Sequence, residues 1–184
     1  MDKLFIYYSA LSAIIWYTGK SKPLTRSTIH ALIAFILPNF TSVPNIYTAT
    51  ISTGYFISDL PECRTWLYKL HHIMGIWIMW TLIQKPYTNH NIFKKVMIVE
   101  VSTPFLNYFL INKNSNRCLI YLLAHIFCRN YMLTKIYLKY IPQFSNEGIN
   151  NITLGSFCLF LLMNYWWTWR TCLTYRKLIL LNKI

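Results

Sequence analysis

Two adjacent histidines, His71 and His72, lie in the apolar stretch "LHHIMGIWIMW" and are the first candidates for chemistry. Imidazole changes its charge near neutral pH, so it can take up or release a proton at a reacting group. Successive residues of a helix diverge by about 100°, so the two rings cannot point at one atom, but they can flank one cavity. Gly75, one turn on from His71, would leave room for a lipid chain or headgroup to approach. We therefore predict that this pair marks a catalytic site.

Other polar side chains recur at a similar depth when the apolar blocks of the sequence are treated as membrane-spanning helices. At a rise of about 1.5 Å per residue, they lie roughly 5–10 Å below one membrane face. Six blocks contribute to this layer, which comprises, besides the histidine pair, His30, Tyr55, Asp59, Asn107, His125 and Asn164. Packing alone does not require a common depth, so the layer predicts a cavity for a lipid substrate. Alternatively, each residue only bonds a neighbouring helix, which contributes about 0.6 kcal/mol on average.

Two charged residues, Glu100 and Arg129, lie deeper in adjacent blocks, roughly 16–18 Å from the same face. An unpaired arginine at that depth costs at least ~2.5–3.5 kcal/mol on insertion scales. We therefore predict that Glu100 and Arg129 form a structural pair, either in direct contact or across a shared polar cavity, which makes Glu100 a further cavity candidate. A mechanistic role for the pair is the alternative, because buried charges also mark lipid and ion pathways.

The composition indicates a membrane protein. The chain has 184 residues, of which 55% are hydrophobic and only 12% are charged, whereas about a quarter of the residues of a soluble domain are charged. A net charge of +13 would suggest a nucleic-acid partner in a soluble protein, but here the basic residues stand between apolar blocks, so we expect none. The five cysteines show no CxxC spacing and no HExxH motif occurs, so no metal site is predicted.

The order of apolar blocks predicts an all-α integral membrane protein with about seven spans. No small-residue cleavage site follows the first block, so we interpret it as a retained span. Several blocks are shorter than the ~20 residues that a perpendicular helix needs. The predicted spans are Leu4–Tyr17, Ser27–Pro38, Asn45–Ser58, Trp66–Leu82, Ile92–Ile111, Cys118–Leu138 and Thr153–Thr168.

The distribution of charge predicts the orientation. Eleven of the 18 Lys and Arg residues gather on the side of the C-terminus, which favours a cytosolic C-terminus and a lumenal N-terminus in an endoplasmic-reticulum-like membrane. The N-x-T sequons at Asn39 and Asn151 then fall on the lumenal side and are glycosylation candidates. The richness in Ile, Asn, Lys and Tyr suggests an AT-biased genome, as in protists and large DNA viruses, so the membrane could be that of a host.

Five segments of the chain occur in the order and spacing of the TLC-domain proteins, and the chain resembles that family over about residues 20–177. The family includes the ceramide synthases and smaller proteins that consist of little but the domain. The combination of the second, third and fourth segments is the specific part of the resemblance. The segments are "STIHALIAF" (Ser27–Phe35), "GYFISDL" (Gly54–Leu60), "HHIMGIW" (His71–Trp77), "EVSTPFLN" (Glu100–Asn107) and "LLMNYWWTWR" (Leu161–Arg170).

The resemblance implies a six-helix transmembrane bundle around a lipid-accessible cavity. Spans two to seven would form the bundle, with span one outside it. We accordingly divide the chain into an N-terminal span over residues 1–19, the domain over 20–177 and a short basic tail over 178–184.

Through the ceramide synthases, the resemblance implies acyl transfer from acyl-CoA to a sphingoid or other lipid amine, with the paired histidines essential. One imidazole could act as general base or accept the acyl group as an acyl-imidazole. The other could be held by Asp59, Asn107 or Asn164. The ceramide synthases carry a second His–Asp and further acids where this chain has "EVSTPFLNYF", which brings it closer to the small branch. Two functions therefore stay open: an N-acyltransferase with acyl-CoA as cosubstrate and no bound cofactor, and a non-catalytic protein that binds lipids or regulates membrane composition.

Overall fold

The computed structural model describes residues 2–19, 22–84, 92–146 and 151–181. Helices account for nearly all of these residues and no strand occurs among them, so the predicted all-α fold is confirmed over these ranges. The α-helices are α1 (Asp2–Thr18), α2 (Pro23–Phe40), α3 (Asn45–Asp59), α4 (Trp66–Gln84), α5 (Ser102–Ile111), α6 (Ser115–His125), α7 (Leu133–Asn146) and α8 (Asn151–Leu181).

Three further helical segments depart from α-geometry or are short. A 3₁₀ turn, Leu60–Glu62, follows α3. A helical stretch over residues 92–96 continues into the 3₁₀ segment Met97–Val101, which leads directly into α5. The π-helical segment Ile126–Met132 joins α6 to α7. The fifth and sixth predicted spans are therefore each a chain of segments rather than one regular helix.

Measured by length and apolar character together, none of the helices in the described ranges qualifies as a membrane-crossing helix.

Local sequence explains where several helices begin. Pro23 opens α2, where its missing N–H is not needed and its fixed φ suits the first turn. Asn114 caps α6, because its side chain accepts a hydrogen bond from the backbone N–H of Arg117 at 2.9 Å. Pro61 lies in the 3₁₀ turn that ends α3 and redirects the chain towards α4. The turn matters for the site, because it sets how the end of α3 faces the start of α4.

Helix α1 packs closely along α3. A Cβ atom on Gly54 would lie only 2.7 Å from the backbone nitrogen of Ala13, so the two backbones approach as far as a missing side chain allows. The hydroxyl of Ser12 and the indole N–H of Trp16 both donate to the carbonyl of Ile51, each at 3.3 Å. The described cavity lining includes no residue of α1, so this helix supports the bundle from outside the cavity.

An apolar core fills the bundle beyond the polar cavity described below. It joins α4, the 92–97 stretch, α7 and α8, and its larger buried members include Met74, Ile78, Met79, Ile92, Phe93, Met97, Phe157 and Phe160. His71 and Glu100 mark its border, because both line the polar cavity and also a small void within this core. The core thereby closes the inner end of the cavity.

Candidate functional site

A polar cavity of about 320 Å³ lies between α2, α3, α4, the 3₁₀ segment Met97–Val101, α5, α6, the π-helical segment and α8. The structure brings eight of the sequence-predicted side chains to its wall: His30, Tyr55, Asp59, His71, His72, Glu100, His125 and Arg129. Two other predicted residues, Asn107 and Asn164, are absent from this wall although both are described and buried. The cavity therefore contains most of the predicted polar layer.

His72 is held by a carboxylate. Its Nε2 lies 2.9 Å from Oδ2 of Asp59, the last residue of α3. A carboxylate can only accept, so this ring nitrogen carries the proton and donates. The other ring nitrogen, Nδ1, is buried and has no hydrogen-bond partner in the described part of the chain. In the neutral ring Nδ1 therefore presents a lone pair.

His71 is held by ring packing. It stacks on Phe160, with centroids 4.9 Å apart and planes 14° from parallel, and meets the edge of Trp167 at 4.9 Å. Its Nδ1 is buried and makes no hydrogen bond to any described residue. The rings of His71 and His72 have centroids 5.6 Å apart at 65°, so they flank the cavity without converging on one atom.

His30 adds a third imidazole to the same wall. It stacks on Tyr55 with centroids 4.1 Å apart and planes 9° from parallel, and only 1% of its surface is exposed. Its Nε2 has no hydrogen-bond partner among the residues described. Tyr55 in turn meets the ring of Trp16 edge-on at 5.6 Å, which is how the outer helix α1 supports the site.

Glu100 and Arg129 share the cavity and are linked through Thr103. The Thr103 hydroxyl donates to Oε2 of Glu100 at 3.2 Å and accepts from Nη2 of Arg129 at 3.1 Å. Arg129 also donates from Nε to the hydroxyl of Ser102 at 2.7 Å and from Nη1 to Oδ1 of Asn164 at 3.5 Å. The two charged side chains therefore share one polar cavity, with the hydroxyl of Thr103 between them, and this is one of the two arrangements predicted from the sequence.

Asn164 and His125 belong to the same network. Nδ2 of Asn164 donates to the carbonyl of Phe160 at 2.8 Å, and its own backbone carbonyl lies 3.2 Å from Nε2 of His125. A carbonyl can only accept, so Nε2 of His125 carries the proton, and Nδ1 accepts from the Tyr121 hydroxyl at 3.1 Å. Both ring nitrogens of His125 are thus engaged, unlike those of the other three imidazoles. Asn164 lies behind Arg129 and holds it, rather than facing the cavity.

Asn107 connects two helices instead of facing the cavity. Its Nδ2 donates to the carbonyl of Leu24 at 3.0 Å and to the hydroxyl of Thr28 at 2.8 Å, both on α2. The amide therefore fixes α5 against α2.

Several polar residues on or near the cavity wall were not predicted from the sequence. Ser102 and Thr103 lie two and three residues after Glu100 in "EVSTP", and this short spacing was the available signal. Arg26 is buried, forms an ion pair with Glu62 and donates to the carbonyl of Trp16 at 3.4 Å. Arg170 lines the cavity several turns along α8 from Phe160.

Cys63 lies next to the His72–Asp59 pair, just after the 3₁₀ turn. Its thiol lies 3.8 Å from Oδ2 of Asp59 and can donate to it. Burial first, and then the neighbouring Asp59 carboxylate, raise the pKa of the Cys63 thiol to about 11. The thiol is therefore protonated at neutral pH.

The structure describes the two glycosylation candidates, Asn39 and Asn151, to different extents. Asn39 lies exposed in the last turn of α2, where its Nδ2 donates to the carbonyl of Phe35 at 2.8 Å and lies 3.4 Å from that of Lys94. Asn151 is the first residue of α8, and its side chain lies outside the described part of the molecule. Glycosylation at both sites stays a prediction.

Comparison with known proteins gives one family. The family model for the TLC domain matches the sequence over residues 4–173, which run from the first turn of α1 into the last third of α8. No curated protein and no solved structure matches the chain. The resemblance inferred from the five sequence segments is thereby confirmed over nearly the whole chain.

Proposed function

The chain belongs to the TLC-domain family, which implies a membrane lipid-related function, and on that premise we propose that it transfers an acyl group from acyl-CoA to a lipid amine. The amine is a sphingoid base or a related lipid, and acyl-CoA is a cosubstrate rather than a resident cofactor. The protein acts as a multi-pass protein of an endoplasmic-reticulum-like membrane. Membership of the family supports the membrane location, and the cavity chemistry supports the reaction.

The observation that carries the proposal is the pairing of Asp59 with His72. The carboxylate fixes the ring with Nε2–H donated to Oδ2 at 2.9 Å, and it leaves the buried Nδ1 as the basic nitrogen. A carboxylate that holds an imidazole in one tautomer is the arrangement by which hydrolases orient a general base. His71 supplies a second imidazole with a free Nδ1 in the same cavity.

Two routes use these nitrogens, and both yield an amide and CoA thiol. In the direct route, the amine nitrogen attacks the thioester carbonyl carbon while Nδ1 of His72 takes the amine proton, and the proton then passes to the departing thiolate as the C–S bond breaks. In the covalent route, an imidazole nitrogen attacks the thioester carbonyl carbon, the C–S bond breaks, and CoA leaves as the thiol with the proton of the imidazole. The amine then attacks the acyl-imidazole, the acyl–nitrogen bond of the imidazole breaks, and the amine proton returns to the ring.

The cavity volume indicates which part of the substrate enters. About 320 Å³ is at the lower end of the roughly 300–1,000 Å³ that small-molecule sites occupy. This volume suits a polar headgroup and the reacting carbonyl, and the acyl chains would extend beyond it. The exposed apolar side chains of the bundle, such as Ile73 and Leu162, suit contact with lipid.

The decisive experiment is incubation of the purified protein with acyl-CoA and a panel of lipid amines, with mass spectrometry of the products. We expect an amide product, and His72→Asn and Asp59→Asn should lower its rate by about 10²–10⁴-fold, because the oriented base is lost. Glu62→Gln is the matched control, since it removes a carboxylate three residues away that pairs with Arg26. A wild-type protein that is folded but yields no amide from any amine contradicts the proposal.

A non-catalytic role in lipid binding or membrane composition is the second candidate. The segment "EVSTPFLNYF" supplies Glu100, Ser102 and Thr103 to a hydrogen-bonded network with Arg129, and such a network can hold a polar headgroup without any reaction. A specific lipid that co-purifies and is retained in native mass spectrometry, with no amide formed in the assay above, would favour this candidate.

The orientation can be tested separately in microsomes. A sequon placed in a loop lengthened at Asn151 should be glycosylated, and an acceptor appended after Lys183 should not, because the positive charge favours a cytosolic C-terminus. Glycosylation of the C-terminal acceptor would contradict the proposed topology.

A further inference from the structure

Three side chains of different chemistry converge at the turn between α3 and α4. A carboxylate oxygen of Asp59, Sγ of Cys63 and a ring nitrogen of His72 all lie within 4.8 Å of one another. We propose that these three groups bind a divalent transition-metal ion, and that Zn²⁺ is the ion that fits them best. Thiolate, imidazole and carboxylate are the ligands that zinc takes in proteins.

The backbone holds two of the ligands together before any metal arrives. α3 ends at Asp59, and in the following 3₁₀ turn the N–H of Cys63 donates to the carbonyl of Asp59 at 3.2 Å. This closes one helical turn, so the side chains of Asp59 and Cys63 lie on the same side. His72 comes from the second turn of α4, and its ring reaches Asp59 at 2.9 Å. The ligands thus belong to one short, ordered stretch of chain.

The spacing of the ligand atoms is close to what a tetrahedral ion requires. Zinc lies about 2.0–2.3 Å from its ligands, which places neighbouring ligand atoms of a tetrahedral site about 3.3–3.8 Å apart. The observed separations are 2.9 Å between Asp59 and His72 and 3.8 Å between Asp59 and Cys63. Side-chain shifts on the order of 1 Å would bring all three to zinc-ligand distances. Three protein ligands leave a fourth position for water or another small ligand.

Binding has a defined proton balance. The Cys63 thiol, which can donate to Asp59 without metal, loses its proton to solvent and binds as the thiolate. Nε2 of His72 gives up its hydrogen bond to Asp59 and presents its lone pair, so the neutral ring carries its proton on Nδ1 instead. If the proposed acyl transfer is right, metal binding and base catalysis by His72 therefore exclude each other. The metal site itself does not depend on that reaction.

Cobalt substitution tests the site directly in the purified full-length protein under reducing conditions. We expect wild-type protein to bind one Co²⁺ per chain with tetrahedral d–d bands and a thiolate-to-cobalt charge-transfer band, and Zn²⁺ to displace it. Cys63→Ala should lose the charge-transfer band. Cys172→Ala is the matched control, because this cysteine is also partly buried but lies on α8, and it should keep the band.

A second measurement needs no variant and therefore does not depend on folding of a mutant. Zn²⁺ should slow alkylation of Cys63 in the wild-type protein, as mapped by mass spectrometry, and should leave alkylation of Cys172 unchanged. Absence of the charge-transfer band from wild type, its persistence in Cys63→Ala, or equal alkylation of Cys63 with and without Zn²⁺ would each overturn the proposal. None of these readouts uses acyl transfer, so failure of the metal site and failure of the enzyme proposal are distinguishable.

Discussion

On one wall of the cavity, Arg129 donates hydrogen bonds from all three of its guanidinium nitrogens. On another wall, three imidazoles each leave a buried nitrogen without a hydrogen-bond partner among the described residues. We call the first the hydroxyl wall, formed by Glu100, Ser102, Thr103 and Arg129, with Asn164 behind Arg129. The second is the imidazole wall, formed by His30, His71 and His72. Both walls are buried and polar, so the difference lies in how their polar atoms are used.

This difference separates a structural role from a binding role. A buried polar group that lacks a hydrogen bond costs about 1–3 kcal/mol, and most buried polar groups in proteins are satisfied. The hydroxyl wall follows that rule, so its network can be explained by stability alone. The imidazole wall departs from it at three nitrogens, and a ligand or substrate that bonds to them would remove that cost. The imidazole wall is therefore the place to look for chemistry.

The backbone differs between the walls as well. Glu100 lies on the 3₁₀ segment and Arg129 on the π-helical segment, whereas His30, His71 and His72 lie on regular α-helices. Insertions of π-helical geometry often occur at functional sites, because they redirect side chains. Here the two irregular segments aim the buried charges at Thr103, which links them.

The largest effect on stability is expected when the hydroxyl wall loses its positive charge. Arg129→Met would leave the buried Glu100, which is 7% exposed, without the cation to which Thr103 links it, and removing one partner of a buried charge pair costs about 3–5 kcal/mol. Thermal or denaturant unfolding in detergent measures the change. Arg129→Lys is the control, since it keeps the charge but not the forked geometry, and it should lose less. Equal stability of the Met and Lys variants would mean that the charge is not what the network needs.

A smaller effect is expected from removal of the bridge alone. Thr103→Val keeps the shape of the side chain but leaves Glu100 and Arg129 each one hydrogen bond short, which should lower the free energy of unfolding by about 1–3 kcal/mol. Thr81→Val is the control, because the exposed Thr81 hydroxyl donates to the carbonyl of Trp77 in its own helix. If the free energy of unfolding falls no further in Thr103→Val than in Thr81→Val, the hydroxyl of Thr103 does not stabilise the fold by linking Glu100 to Arg129.

Part of the site could be predicted from the sequence. Counting the helical rise from the ends of the apolar blocks gave the depth of each polar residue, and depth was enough to predict that His30, His71 and His125 reach one cavity. Depth does not determine which way a helix is rotated. Asn107 was predicted to belong to the same layer, but its side chain faces α2, where it donates a hydrogen bond to the carbonyl of Leu24.

Features that depend on tertiary packing were beyond the sequence argument. The 3₁₀ and π-helical segments have no distinct hydrophobic period, so blocks five and six were predicted as single helices. Gly75 was interpreted as space for a ligand, but a Cβ there would lie 2.9 Å from the ring of Phe56, which fills that space. The proximity of Cys63 to His72 depends on the turn at Leu60–Glu62, whose path the spacing along the chain does not reveal.

The smallest effect on stability, together with a large effect on function, is expected at the imidazole wall. Nδ1 of His71 has no hydrogen bond to lose among the described residues, so His71→Asn removes mainly the stacking on Phe160, worth about 0.5–1.5 kcal/mol. Asparagine can form hydrogen bonds but cannot shuttle a proton at neutral pH. We therefore expect His71→Asn, and the double variant with His72→Asn, to insert and fold yet lose acyl transfer.

Unfolding curves and the acyl-CoA assay on the same preparations measure both properties. Wild-type activity in the double variant would show that the imidazoles only hold the helices together, and the contrast between the two walls would then have no functional meaning.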